Sequence, residues 1–118
     1  MEKEQVLIKN IEFSKPLQLA GLVDYEEGRV VSRTLSQNPT LSLTVFAFPR
    51  GEEIGTHSAP GDAMVHVLDG EADVTIGGET IQVGAGEVVV MPKNIPHSLF
   101  ARERFKMMLI LVKPQKAG

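Results

Sequence analysis

Three histidines carry most of the chemistry this sequence could perform: His57, His66 and His97. An imidazole acts as a metal ligand through a neutral ring nitrogen, or as a general acid or base near neutral pH. His57 follows the turn-rich stretch Gly51-Glu52-Glu53-Ile54-Gly55-Thr56, and His97 follows Pro92-Lys93-Asn94-Ile95-Pro96. Both therefore stand where a loop meets a strand. Two histidines at corresponding junctions could converge inside a barrel and bind a divalent metal there, a meeting that spacing alone does not establish. His66 lies instead within Met64-Val65-His66-Val67-Leu68 and reads as a strand-face or interface residue. Asp62, just after Pro60-Gly61, is either a turn former or a carboxylate ligand. The chain has no cysteine, which removes thiolate metal sites, disulfides and cysteine nucleophiles together. No phosphate-cradling loop, serine-nucleophile elbow or paired-carboxylate arrangement stands out.

Positioning these groups falls to strands. Short β-branched runs are separated at close intervals by Gly, Pro, Asn and Asp. They predict strands over Val6–Ile8, Leu17–Val23, Val30–Leu35, Leu41–Phe48, Ala63–Leu68, Ala72–Ile76, Thr80–Val83, Glu87–Met91, Ser98–Ala101 and Phe105–Val112. Asp69-Gly70 and Gly77-Gly78 are dipeptides that tolerate the positive φ of tight hairpins, and each is predicted to be one. Gly84-Ala85-Gly86 marks a further corner, and no segment has the pattern of a long helix. Met107-Met108-Leu109-Ile110-Leu111-Val112 is apolar on both strand faces and long for so small a domain, which predicts a homodimer. Met91, Met107 and Met108, with Phe46, Phe48, Phe100 and Phe105, are read as core filler rather than as pocket walls.

With 118 residues, 42% hydrophobic and 23% charged, the chain is expected to form one globular domain over 1–118. A formal charge of −3 gives no basic footprint for nucleic acid, and the short run Arg102, Arg104, Lys106 is broken by Glu103. No stretch approaches the roughly 20 apolar residues of a membrane helix, and the charged start does not resemble a signal peptide. The expectation is a cytoplasmic protein with neither nucleic-acid nor membrane partners.

Two segments resemble a known family. Gly51–Gly70 looks like the first cupin motif: Gly, five residues, His, a loop, then a strand ending in glycine. Gly86–His97, extending to about 86–101, looks like the second: Gly86, five residues, Pro92, one residue, Asn94, two residues, His97. The resemblance spans about Leu41–Val112 and implies an all-β, double-stranded β-helix, a jelly-roll-like barrel. Residues 1–40 would supply N-terminal strands that complete the barrel or a dimer interface.

The family's usual metal set is two histidines in the first motif, a Glu or Gln further on, and one histidine in the second. Here His57 and His97 match the first and last positions, while Ala59 and Ala63 fall on the other two. The resemblance thus implies a pocket of His57, Ala59, Ala63 and His97 with a reduced metal set. A divalent ion (Mn, Fe, Ni or Zn) would be weakly bound or absent. Asp62 is the one nearby side chain that could complete it, against strand alternation, which turns neighbouring side chains to opposite faces and sets His66 opposite Ala63. The expected function is small-molecule binding in the barrel. One alternative is a metal-dependent enzyme (dioxygenase, isomerase or decarboxylase) acting on a small organic substrate. The other is a sensor or accessory domain working through its dimer surface, since no helix-turn-helix segment is present.

Overall fold

The computed structural model describes residues 5–115. A short 3-10 turn over Leu19–Leu22 is followed by β1 (Val31–Asn38), β2 (Leu41–Phe48), β3 (Glu53–His57) and β4 (Asp62–Ile76). Then come β5 (Glu79–Gly84), β6 (Val88–Met91), β7 (His97–Phe100) and β8 (Phe105–Val112). All pairings are antiparallel, in a larger sheet of order β1-β2-β8-β4-β6 and a smaller one of order β5-β4-β7-β3. This is the jelly-roll-like barrel that the two motifs imply. Among the described residues no helix is long and apolar enough to cross a membrane.

The strand β4 belongs to both sheets. Its first half pairs with β8 and β6, its second half with β5 and β7. Here the sequence reading needs correction: Asp69-Gly70 makes no hairpin, and the two strands predicted on either side of it are one strand of 15 residues. A register shift between Val67 and Asp69 marks a bulge, and Gly70 follows with φ +74°. Bulges bend a strand and sharpen its twist, which carries β4 from one sheet into the other. Gly70 meets its positive φ inside a bend rather than at a turn. The corner at Gly84-Ala85-Gly86 closes over that bend: Gly86 N–H donates to Val67 O (2.8 Å), Ala85 N–H to Gly70 O (3.1 Å) and Val67 N–H to Glu87 O (3.1 Å). These bonds satisfy backbone groups that the bulge takes out of the regular ladder. Gly77-Gly78, at φ +58° and +95°, does form the predicted two-residue hairpin, between Ile76 and Glu79.

Two further expectations change. Leu17–Val23 is not a strand; it holds the 3-10 turn, closed by Gly21 N–H to Gln18 O at 3.0 Å. Val6–Ile8 is not a strand either, although Leu7 O accepts from Ser36 Oγ (2.6 Å) and Lys9 N–H donates to Leu35 O (2.8 Å) on β1.

The main core lies between the sheets and holds Phe48, Ala63, Val65, Val67, Val74, Met91, Leu99, Phe105 and Met107. A second cluster sits on the outer face of the larger sheet, where Ile11, Leu19, Leu22 and Tyr25 pack over Val45, Ala47, Leu68 and Met108. The two-faced apolar character of β8 is therefore answered partly within the chain. Tyr25 fastens this covering segment: its hydroxyl donates to Asp69 Oδ2 at 2.6 Å, and Arg104 stands 4.6 Å from its ring centroid. Burial, then the hydrogen bond and charge of Asp69, push the Tyr25 phenol well above its ordinary value, against an opposing pull from Arg104. It remains a protonated donor across the physiological range.

Candidate functional site

His57 is the last residue of β3 and His97 the first of β7, and the two are cross-strand partners. Their ring centroids are 4.4 Å apart with planes at 72°. Their meeting has a local cause on each strand. His97 shares a strand face with Leu99, a core residue two positions on, and is 3% exposed. Ile54 pairs with Leu99 and packs against the same core. By plain alternation His57, three residues beyond Ile54, would face the other way. A register shift between Ile54 and His57 adds a residue to β3 and brings His57 level with His97, at the end of the strand where His57 stays exposed while His97 is buried.

Hydrogen bonding fixes both rings. His57 Nδ1 donates to Gly55 O (2.9 Å) and His97 Nδ1 to Ile95 O (3.1 Å). A carbonyl oxygen only accepts, so Nδ1 carries the hydrogen and each neutral ring keeps its lone pair on Nε2. Burial pushes the His97 imidazole below its ordinary value of 6.5, the charge of a protonated His57 adds to this, and the Ile95 carbonyl opposes it. At neutral pH His97 is therefore an uncharged acceptor.

This depression has a measurable sign. As pH falls, unfolded chains take up the proton before folded His97 does. Its share of stability is intact above about 6.5 and is lost as pH falls through the lower folded value. Urea unfolding of wild type and His97→Gln between about pH 8 and pH 5 should show a midpoint difference that shrinks toward acid. A pH-independent difference would contradict the assignment.

The other predicted positions gather at the same end of the barrel. Ala63 is buried in the main core near the start of β4, paired with Met91, the last residue of β6, and with Leu111. Ala59 O accepts from Asn94 N–H at 2.8 Å, tying the loop after β3 to the loop before β7. Asn94 has φ +62°, a conformation asparagine tolerates better than most residues. Ile76 is a neighbour that sequence reasoning missed: it pairs with His97 on the side opposite His57 and packs against the core. Its even spacing from Val74 was the available signal.

Asp62 is engaged elsewhere. It is exposed, and its Oδ1 accepts from Lys93 N–H at 2.9 Å. Among the described residues no three His, Cys, Asp or Glu side chains come together where they could hold a metal ion. The two free Nε2 atoms are genuine donors to a metal, but two protein ligands fall short of the three or more that hold a transition metal firmly. The residues present do not fit a resident metal. His66 pairs with Val88 and Met108 on the outer face of the larger sheet, opposite Ala63, as its position in the strand requires.

The family model of the cupin domain matches residues 44–113, more than half of the chain. The chain belongs to the cupin family. Among solved structures, this cupin is similar to a conserved protein of unknown function from Streptococcus pyogenes. The two share 47% identity over 97% of this chain and 100% of that one, with a TM-score of 0.92. A cupin superfamily protein from Desulfitobacterium hafniense is 30% identical over 91% of this chain and 98% of its own, with a TM-score of 0.86. A cupin 2 conserved barrel domain protein from Leptotrichia buccalis is 48% identical over 82% of this cupin, which spans 47% of that longer chain, with a TM-score of 0.81. Among curated proteins none matches.

Proposed function

We propose that this cupin binds a small organic molecule at the barrel end where His57 and His97 meet, with no firmly held metal. The observation that carries this reading is the imidazole pair itself: a buried His97 and an exposed His57, 4.4 Å between centroids, with both Nδ1 atoms engaged on backbone carbonyls. Both Nε2 atoms are left to accept. The pair therefore favours a ligand that donates, such as an alcohol, a phenol or an amine N–H, with an apolar body beside Ala59 and Ala63. A carboxylate ligand would need a protonated imidazole, which the lowered affinity of His97 for a proton opposes. The cupin is further read as a homodimer that uses the outer face of the larger sheet, where Val88 and Val90 are exposed.

Two measurements on untagged protein test this reading. Metal analysis after dialysis should find well under one ion per chain. Stoichiometric Mn, Fe, Ni or Zn that is lost in His57→Ala and in His97→Ala would overturn it. Titration with size-matched phenols and benzoates at about pH 7.5, followed through the imidazole 15N resonances, should shift both Nε2 signals with the phenols and far less with the carboxylates. Equal response to both series would refute the donor preference.

A further inference from the structure

The loop 92–96 that delivers His97 to β7 has three amide N–H groups, since Pro92 and Pro96 have none. All three are taken. Lys93 N–H donates to Asp62 Oδ1 (2.9 Å), Asn94 N–H to Ala59 O (2.8 Å) and Ile95 N–H to Pro92 O (3.3 Å). At the far end of the loop, Pro96 O accepts from Gly77 N–H at 2.9 Å. Among the described residues, Asp62 is the one side chain on another element preceding the loop that bonds to it.

This loop needs outside support. Its own closing bond, from Ile95 to Pro92, is longer than the ordinary range for an N–H to oxygen bond. Within the turn Asn94 lies at φ +62°, left-handed backbone that persists where the surroundings hold it. Loop 58–61, which leaves His57, supplies one anchor in Ala59 O and runs directly into the other, Asp62. The segment leaving one imidazole thus holds the segment entering the other.

Asp62 is itself firmly placed. It pairs with Val112 at the start of β4, and the preceding Gly61 lets the two backbones meet. A β-carbon on Gly61 would overlap the Val112 carbonyl oxygen and stand 2.9 Å from the Cα of Lys113. A carboxylate on so fixed a backbone is a stronger acceptor for an amide N–H than a neutral oxygen.

What this clamp controls is the hydrogen on His97. Ile95 O accepts from His97 Nδ1 at 3.1 Å, and that bond keeps the lone pair on Nε2. Ile95 belongs to the turn that Asp62 holds at Lys93. If the turn relaxes, Ile95 O moves off Nδ1 and the preference for this tautomer falls.

We propose that Asp62 is a positioning residue for the imidazole pair: through Lys93 N–H it holds the 92–95 turn in the shape that presents His97 Nε2 as an acceptor. This rests on the ligand reading above and gives a role to a carboxylate that stands beside the site without touching either ring.

The test compares Asp62→Ala with Asp62→Asn, whose amide oxygen still accepts from Lys93 N–H. Asp62 is exposed at a strand start, so both substitutions leave the core untouched. In ligand-free protein, exchange of the Lys93 amide should speed up about tenfold in Asp62→Ala, the equilibrium worth of one such hydrogen bond. The His97 15N signals should move toward the average of the two tautomers, while Asp62→Asn stays close to wild type in both measurements. Phenol affinity should fall about three- to tenfold in Asp62→Ala and recover in Asp62→Asn. Urea unfolding of each variant reads stability separately.

A lower unfolding midpoint with unmoved His97 signals would make Asp62 merely structural and overturn the proposal. Equal losses in Asp62→Asn and Asp62→Ala would also overturn it, by assigning the effect to charge rather than to the hydrogen bond. Failure of phenols to bind the wild type would sink the ligand reading alone. The exchange rates and His97 signals of the ligand-free variants would still decide the role of Asp62.

Discussion

Phe48→Ala should lower the unfolding free energy by about 3–5 kcal/mol, the range for deleting a fully buried phenylalanine. Phe48 on β2 is 0% exposed and is the cross-strand partner of Phe105 on β8. Their rings stack at 4.5 Å between centroids with planes 10° apart, and Phe46 approaches Phe48 at 5.9 Å. The substitution therefore removes buried area, a stacked pair and the filling of a tight site together. Met91 and Met107 in the same core are pliable enough to reclaim part of the space, which argues for the lower end of that range. Urea unfolding with an unchanged m-value, or a fall in Tm of roughly 10 °C or more, would report the loss. Phe46→Ala, at a half-buried ring, should cost less. A loss below about 1 kcal/mol for Phe48→Ala would mean that the core is far more plastic than its packing implies.

Gly70→Ala should be the other severe substitution, at about 2–4 kcal/mol. Two costs combine at this position. The backbone sits at φ +74°, where any β-carbon costs about 1–2 kcal/mol. In addition, a β-carbon there would overlap the carbonyl oxygen of Arg104 and stand 3.0 Å from the Cα of Phe105. These are backbone atoms at the entry to β8 and cannot rotate aside. Gly28 supplies the comparison: its φ is +80°, yet nothing lies within 4 Å of a β-carbon built on it. Gly28→Ala should thus reveal the conformational cost alone, and the excess at Gly70 measures the close approach. Equal losses at the two glycines would show that β8 yields without penalty.

Much of the fold was legible in the residues. Leu41–Phe48 and Phe105–Val112 have the predicted bounds, because long apolar alternation is a strong local signal. Glu53–His57 escaped notice because it has one apolar residue, a glycine and three other polar positions. Its strand character comes from pairing with β7 rather than from its own pattern. Asp69-Gly70 misled for a different reason: a positive φ serves a bulge as well as a hairpin, and the dipeptide does not distinguish them. At the site, the loop-to-strand positions of His57 and His97 were readable, whereas the pairing of His57 with His97 depends on a register shift set by the partner strand. Asp62 could be weighed only by alternation, and the hydrogen bond from Lys93 that engages it crosses 31 residues of sequence.

Because β4 is a member of both sheets, neither sheet can open while the other stays closed. Freeing β8 from the first half of β4 exposes the bulge that orients the second half, and with it the pairings to β5 and β7. The molecule should therefore behave as one cooperative unit, with β4 amides exchanging with solvent only through global opening. Folding inherits the same constraint. Strand β2 must find β8 and β4 must find both β7 and β8, all pairings between residues distant in sequence. Closing such long loops before any sheet is rewarded places this protein among slow, all-or-none folders.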